Sequence, residues 1–486
     1  MINDYFQNER NLTMLTDFYE FTMANGYFTS GLKNEIAVFD YFFRNTPDNG
    51  GYAITAGLQQ LIEYIENLKF SNEDISFLRS KKIFSEEFLS YLESFTFSCD
   101  IWAIPEGTPV FPNEPIITVK GPLIEAQFIE TMLLLSINHQ SLIATKASRI
   151  VRAAQGRAIM EFGSRRAHGY DGAIFGARSA YIGGCIGTAC TIADKDIKVP
   201  ALGTMAHSWV QVFPTELDAF RAYAKTYPSN CTLLVDTYNV LKSGVPNAIK
   251  VFNEEVVTRG FRPKGIRIDS GDIAYLSIQT RRMLDEAGFS DCQIVASSAL
   301  DEYLIKDILN QGANVDVFGV GERLITAKSE PVFSGVYKLV AIERQGKIIP
   351  KIKVSENVGK ITNPSQKVLY RLFDNQTGKA IADVITLIDE IIDSAKPYEL
   401  FDPVYTWKKM TINDFSVKKL AEKIFDKGKC VYKSPELAEI QKYCKLQQNT
   451  LREDILRFDN PHKHYVDLSR KLWELKNDML NEFSFK

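Results

Sequence analysis

A chain of 486 residues, 45% hydrophobic and 24% charged, has the ordinary balance of a soluble globular protein and more length than one core usually organises. Its formal net charge of −3 is spread with both signs mixed, which leaves no basic stripe for a phosphate backbone and excludes nucleic acid as an expected partner. No apolar run reaches the roughly 18 residues of a membrane span, and the opening MINDYFQNERNL lacks the basic and apolar regions of a secretory signal, so no membrane partner and a cytoplasmic location are expected.

In chain order, TDFYEFTMANGYF reads as a short aromatic helix that Thr16 or Asp17 can cap. EIAVFDYFFRN and PVFPNEPIITVKGP read as strands bounded by Pro and Asn, with the helical GLQQLIEYIENLKF between them. MLLLSI is a buried helix segment by its length. Residues 1–140 are therefore expected to form an α+β domain.

From about residue 141 to 340 the texture changes. The apolar runs RAIMEF, CTLLVD, GIRID, QIVASS and VDVFGVG alternate with helix-length amphipathic stretches: GAIFGARSAYIG, ELDAFRAYAKTY, PNAIKVFNEEVVTR, AYLSIQTRRMLDEAG and ALDEYLIKDILNQG. Strand-then-helix repetition with non-alternating apolar strands predicts a parallel α/β architecture. Polar residues or glycines close nearly every strand: Phe162 with Arg165, Asp236, Asp269, Ser297, and Gly319 with Gly321. Strand ends converge on one face in an α/β barrel, so the pattern favours a barrel over an open sheet. Residues 341–486 read as a C-terminal extension expected to pack on the rest, with a β-hairpin in KVLYRLFDNQTGKAIADVITL turning at Asn375–Gly378 and helices in KSPELAEIQKYCKLQQNTLREDILRF.

The seven cysteines are odd in number and dispersed, without a CxxC pair, and read as free thiols. Cys185 and Cys190 have no histidine nearby, so no metal site is expected there.

Of the five histidines, His207 in LGTMAHSWVQVF stands out, because it follows the predicted strand VPALG inside the barrel region. It can serve there as base, metal ligand or nucleophile. His139 lies in a helical stretch, His168 in a polar loop, and His462 and His464 in a polar stretch where no role is assigned to them. GIRIDSGDI places Arg267 and Asp269 on one strand face, with Ser270 and Asp272 opening the next helix. A guanidinium beside a carboxylate can read an anion and sugar hydroxyls together, and can equally be a structural pair. VDVFGVGERLITA sets Gly319 and Gly321 between a strand and a helix, where backbone N–H groups can hold a phosphate or simply make a turn. Arg165, Arg166 and Arg178 in EFGSRRAHGYDGAIFGAR suggest a second anion site or a solvated basic loop. Together these residues suit an enzyme acting on a polyanionic, sugar-bearing substrate.

The motifs LTDFYEFTMANGYF, EFGSRRAHGYDGA, LGTMAHSWVQVF, LLVDTYNVLKSGVPNAI, GIRIDSGDI, VDVFGVGERLITAKSEPVFSGVYKLV and SENVGKITNPSQK, in that order, resemble the nicotinate phosphoribosyltransferase family. The resemblance implies a type II phosphoribosyltransferase with an α+β N-terminal domain, an irregular α/β barrel and active sites shared in a homodimer. It implies that His207 is phosphorylated by ATP and that turnover of the phosphohistidine drives phosphoribose from PRPP onto nicotinate, with Mg²⁺ accompanying ATP and PRPP. By the same resemblance, Tyr19 and Phe162 would stack on the pyridine ring, and Thr204 and Arg267 would bind nicotinate. Asp269 would hold the ribose and join His207 as a catalytic residue, Arg165 would lie near ring and phosphate, and Gly319, Gly321 and Thr326 would bind the phosphoribosyl phosphates. Ile186 and Cys190 stand where the family often has Asp and Asn, and Val358 where proline is frequent. The nicotinamide enzymes share the fold and the histidine, but their Glu-His-Ser differs from the neutral Ala-His-Ser here. A phosphosugar aldolase or isomerase would usually show a lysine or a Glu/His pair at its strand ends, and no such lysine lies among the predicted strands; a non-catalytic relative would lack His207 or Arg267, and both are present.

Overall fold

A computed structural model describes residues 11–484, so the first ten residues of the opening peptide, and the side chain of Val358, lie outside the described residues. The chain divides into two compact units: Ile143–Pro331, and the chain on either side of it.

Ile143–Pro331 is built on six parallel strands, β1 (Ala158–Glu161), β2 (Gly187–Thr188), β3 (Thr232–Leu234), β4 (Gly265–Ile268), β5 (Gln293–Ser298) and β6 (Val317–Val320). Five of them are the apolar runs predicted from sequence, and they are followed by the helices α1 (Tyr170–Ile182), α2 (His207–Val212), α3 (Glu216–Thr226), α4 (Ile273–Glu286), α5 (Glu302–Asn310) and α6 (Glu322–Ile325), of which α2 falls where the sequence predicts no helix. The strands are short and almost wholly buried, and a strand covered on both faces has no polar side to alternate with.

The sheet order is β2-β1-β6-β5-β4-β3. Beyond β2 a single bridge, Thr188 to Ala201, adds one more backbone contact. Followed round, this is the chain order wrapped on itself, yet among the described residues no backbone ladder joins the Ala201 segment to β3. The parallel α/β sheet is as expected; backbone pairing does not close it into a barrel. The predicted strand VPALG contracts to that one bridge, because Pro200 has no amide to donate. The predicted helix PNAIKVFNEEVVTR forms with three pitches in succession: α-helix to Val251, wide π-turns to Val256 and a tight turn to Arg259. Its approach depends on Gly244, where a Cβ would lie 1.9 Å from the carbonyl oxygen of Val235, so only glycine lets this segment close over the end of β3.

The other unit holds a seven-stranded antiparallel sheet ordered 347–350, 335–344, 36–43, 117–122, 100–103, 422–426 and 429–430. The predicted helices Phe18–Thr29 and Leu58–Glu66 belong to it. Asp17 occupies the N-cap of the first without a side-chain bond, while the Thr16 hydroxyl donates to the buried Glu20. MLLLSI lies in the helix Glu130–Ala153, where Met132 and Leu133 are buried and Leu135 is half exposed. The predicted hairpin pairs Lys367–Asp374 with Ala380–Leu387. Its turn is held by the Asp374 carboxylate, which accepts from the amides of Gln376 and Thr377. Of the predicted tail helices, Leu437–Gln448 forms and the remainder of that stretch runs as turns; the strand Tyr465–Leu468, parallel to Ala380–Leu387, and a helix at Arg470–Ser484 follow. No disulfide joins any of the seven cysteines, and six of them are buried. Among the described residues no helix is long and apolar enough to cross a membrane.

Candidate active site

The C-terminal ends of β3, β4 and β5 bring together the polar residues singled out by sequence. Arg267 lies on β4, and Asp269, one residue past its end, keeps the same side because alternate residues of an extended chain do. Arg267 is mostly buried and reaches across to the Gly-Thr segment, Nη1 donating to Thr204 Oγ1 at 2.8 Å and to the Met205 carbonyl at 3.1 Å. These bonds span the gap that backbone pairing leaves open. Arg267 Nη2 contacts Asp269 Oδ1 at 3.4 Å, while its Nε is buried without a hydrogen-bond partner.

His207 begins α2, its backbone released into a helical turn after the extended Ala206. Its Nδ1 lies 3.1 Å from Thr237 Oγ1, and its Nε2 lies 3.7 Å from Asp269 Oδ2. Ser297, at the end of β5 and buried, donates its hydroxyl to Asp269 Oδ1. Burial pushes the Asp269 carboxyl upward, but the Ser297 hydroxyl and the charges of Arg267 and His207 outweigh it, and the net shift is below the ordinary carboxylate value. Asp236, beyond the end of β3, accepts from Ser270 Oγ at 2.6 Å and the Asp269 amide at 3.2 Å through Oδ2, and its Oδ1 is buried without a partner.

Across the same sheet, Gly319 on β6 pairs in register with Ser297 and Met160. A Cβ on Gly319 would fall 2.6 and 2.8 Å from ring carbons of Phe162, so the glycine makes room for the aromatic ring over the strand. Phe162 is half-buried and packs, as Leu202 does, against the cluster of Met160, Val295 and Val317. Glu161 beside it is fully buried, accepting from the Gly163 amide and from Thr188 Oγ1 at 2.5 Å, which ties this turn to β2.

Arg165 follows in a short tight turn, Ser164–Arg166, exposed together with Arg166, whereas Arg178 is buried in α1. The basic loop therefore contributes two exposed guanidiniums, not three. Gly321 precedes α6, which is a single four-residue turn, so the helix dipole anticipated there is that of one turn. Thr326 closes this turn, its hydroxyl donating to the Glu322 carbonyl at 2.8 Å.

Tyr19 belongs to the other unit, on the helix Phe18–Thr29, where it is 47% exposed. Burial and the neighbouring carboxylates of Glu130, Glu20 and Asp17 push its phenol up to about 12. His168 is exposed, and His139 sits half-buried in its helix. His464, to which sequence assigns no role, is buried in the unit that holds Tyr19, stacked on Phe111 at 4.0 Å and 3.2 Å from Asp383. The residue missed at the site is Thr237. Its only mark in the sequence is its place beside Asp236 at a strand end. Among the described residues no group of three or more His, Cys, Asp or Glu is arranged to hold a metal.

Three family models match the chain: the nicotinate phosphoribosyltransferase (NAPRTase) N-terminal domain over residues 14–138, the NAPRTase family over 157–390, and the NAPRTase C-terminal domain over 366–476. A nicotinate phosphoribosyltransferase of Bacillus subtilis is 43% identical over 479 residues, covering 99% of this chain and 97% of the relative. One from Caenorhabditis elegans is 35% identical over 95% of this chain and 92% of the relative. Among solved structures, human nicotinic acid phosphoribosyltransferase superposes with a TM-score of 0.85 at 28% identity, over 96% of this chain and 99% of that one. A nicotinate-nucleotide pyrophosphorylase from Pyrococcus furiosus shares the fold, with a TM-score of 0.70 at 22% identity over 93% of this chain and 99% of that one.

Proposed function

Because this chain belongs to the nicotinate phosphoribosyltransferase family, we propose that it transfers phosphoribose from PRPP to nicotinate, giving nicotinate mononucleotide and pyrophosphate, with ATP coupled through phosphorylation of His207. The product is a precursor of NAD. The observation that carries the reading is Arg267: held on its Nη1 side by Thr204 and Met205, it keeps a buried Nε with no partner. A carboxylate is the group that satisfies such a donor, and a carboxylate is what nicotinate has and nicotinamide lacks.

The other roles follow from that placement. Phe162, half-buried over Gly319, offers a flat face to a heteroaromatic ring; Tyr19 is assigned as a second such face through the family resemblance alone. Asp269, ionised and facing His207, holds ribose hydroxyls and stabilises positive charge on the imidazole. Arg165, exposed at its turn, and the backbone at Gly319, Gly321 and Thr326 face the phosphate groups. The partnerless Oδ1 of Asp236 is the hard oxygen donor that the site offers to Mg²⁺ arriving on a polyphosphate. We read the parallel sheet as an irregular barrel interrupted at one seam, the assembly as a homodimer with shared sites, and the location as cytoplasmic.

The test is nicotinate mononucleotide formation from PRPP, with nicotinate or nicotinamide, with and without ATP and Mg²⁺, for wild type and His207→Ala. ATP-stimulated turnover of nicotinate alone, with the stimulation lost in His207→Ala, is expected. Turnover of nicotinamide overturns the pairing of Arg267 with a carboxylate, and turnover of neither base overturns the enzymatic reading.

A further inference from the structure

His207 has two ring nitrogens in different company. Nε2 faces the carboxylate oxygen Oδ2 of Asp269 at 3.7 Å, and Nδ1 faces the hydroxyl of Thr237 at 3.1 Å. An ionised carboxylate can only accept, whereas a threonine hydroxyl can donate or accept. A neutral imidazole that turned its lone pair toward Asp269 would set lone pair against anion. The ring avoids this only with its proton on Nε2, and Thr237 then donates its O–H to Nδ1. Arg267 and Asp236 do not alter the assignment, since neither hydrogen-bonds the ring: Arg267 donates through Nη1 and Nη2 to Thr204, Met205 and Asp269, and Asp236 accepts through Oδ2 from Ser270 and the Asp269 amide.

We propose that Thr237 is the positioning residue of His207: its hydroxyl fixes the ring through Nδ1 and marks that nitrogen as the one bearing the lone pair, while Asp269 keeps the proton on Nε2. Thr237 is suited to this. It lies half-buried past the end of β3, on the segment that the close approach at Gly244 presses against the strand. A β-branched side chain there has few rotamers to lose on holding the bond.

The consequence for phosphoryl transfer, which rests on the function proposed above, is that Nδ1 is the acceptor. Its lone pair forms the bond to the γ-phosphorus of ATP while the bond from that phosphorus to the bridging oxygen breaks, and ADP leaves with the oxygen and its electron pair. The proton on Nε2 stays in place, so the ring becomes cationic facing Asp269, and Thr237 gives up its bond to Nδ1 by rotating about its Cα–Cβ bond.

Nitrogen NMR of the full-length protein labelled on histidine, with His207→Ala to assign the resonances, tests the placement without any substrate. At a pH where the ring is neutral, the proton is expected on Nε2. Thr237→Val, which keeps the shape and removes the hydroxyl, is expected to move the Nδ1 resonance toward that of an unbonded nitrogen, and Thr237→Ser to restore it. A proton on Nδ1 in the wild type, or an Nδ1 resonance unmoved in Thr237→Val, overturns the proposal. In the second arm, Thr237→Val should slow phosphohistidine formation from ATP about tenfold, the worth of one hydrogen bond, with KM for nicotinate within about twofold and recovery in Thr237→Ser. Formation at the wild-type rate in Thr237→Val also overturns it. Wild-type protein that shows the expected resonances and forms no phosphohistidine sustains the positioning role of Thr237 and overturns the phosphohistidine reading of the function.

Discussion

Asp269 turns Oδ2 toward Nε2 of His207 across 3.7 Å and keeps Oδ1 for the Ser297 hydroxyl and, at 3.4 Å, for Arg267. One carboxylate thus serves three groups, His207 through one oxygen and Ser297 with Arg267 through the other, and its charge is what the two cationic partners require.

Ser297→Ala removes one of the influences that hold Asp269 below the ordinary carboxylate value against the upward push of burial. A depressed carboxylate contributes stability that is present above its unfolded value, about 4, and is lost as the pH falls through the folded value. The variant is therefore expected to be less stable at neutral pH, by about 1 kcal/mol after discounting for solvent screening, and to lose less on acidification below about pH 4. Denaturant unfolding of both proteins at neutral and acid pH measures the difference, and parallel curves would remove Ser297 as a cause of the shift.

Arg267→Lys keeps the charge and loses the fork. With Thr204, Met205 and the proposed carboxylate all drawing on one guanidinium, a point charge cannot serve them together. KM for nicotinate is expected to rise about 10- to 100-fold, with a smaller effect on kcat, in steady-state assays. A KM unchanged from wild type would disconnect Arg267 from the substrate.

Gly319→Ala drives a methyl group into the Phe162 ring, with contacts of 2.6 and 2.8 Å unless the ring moves. The expected cost is about 1–3 kcal/mol of stability, as for an overpacked core. In a Phe162→Ala background the same substitution should cost much less, and a double-mutant cycle by thermal unfolding reads that coupling. Additive effects would place the clash elsewhere.

His464 is held neutral in the fold because burial lowers its proton affinity more than Asp383 beside it raises it. A base whose folded value is depressed contributes stability that is full above its unfolded value, about 6.5, and is lost as the pH falls below that. His464→Gln should therefore flatten the stability difference between pH 7.5 and pH 5.5 relative to wild type. The neighbouring Arg371–Asp383 pair, fully buried with Nη2 to Oδ2 at 2.6 Å, is more exacting: Arg371→Ala strands a carboxylate in the core, and a loss of about 3–5 kcal/mol is expected in the same unfolding measurements.

Much of the α/β unit is legible in the sequence because strands covered on both faces appear as unbroken apolar runs, and β1, β3, β4, β5 and β6 all fall on such runs. The hairpin at Asn375–Gly378 is legible for a different reason, since Asp374 and Gly378 supply the side-chain acceptor and the positive φ that a tight return needs. Pairing between distant segments leaves no such local trace. Nothing in Ile36–Phe43 announces that its neighbour in the sheet is Gly335–Arg344, almost three hundred positions away. The strand expected at VPALG survives as one bridge because apolar composition counts Pro200 as a strand residue while hydrogen bonding does not.

At the site, Arg267 and Asp269 are legible as a pair because two residues apart on a strand means one face, and His207 because it stands alone among residues of no comparable chemistry. Which atom of each meets which partner is not legible. That depends on how β3, β4 and β5 are stacked, and this stacking brings Thr237, Asp236 and Ser297 within reach. His464 shows the converse: a polar stretch of sequence hides a histidine buried against Asp383.

The sheet of the α/β unit has two free margins, the Ala201 segment and β3, with Arg267 reaching Thr204 and Met205 and His207 reaching Thr237 across the interval. Unpaired margins are ordinarily sealed by more backbone. Here the fasteners are the very side chains proposed to touch nicotinate and the phosphoryl group, so a ligand that takes a donor from Arg267 also draws on the material that shuts the sheet. Occupancy and closure share one set of hydrogen bonds, and each molecule bound must replace what it unfastens.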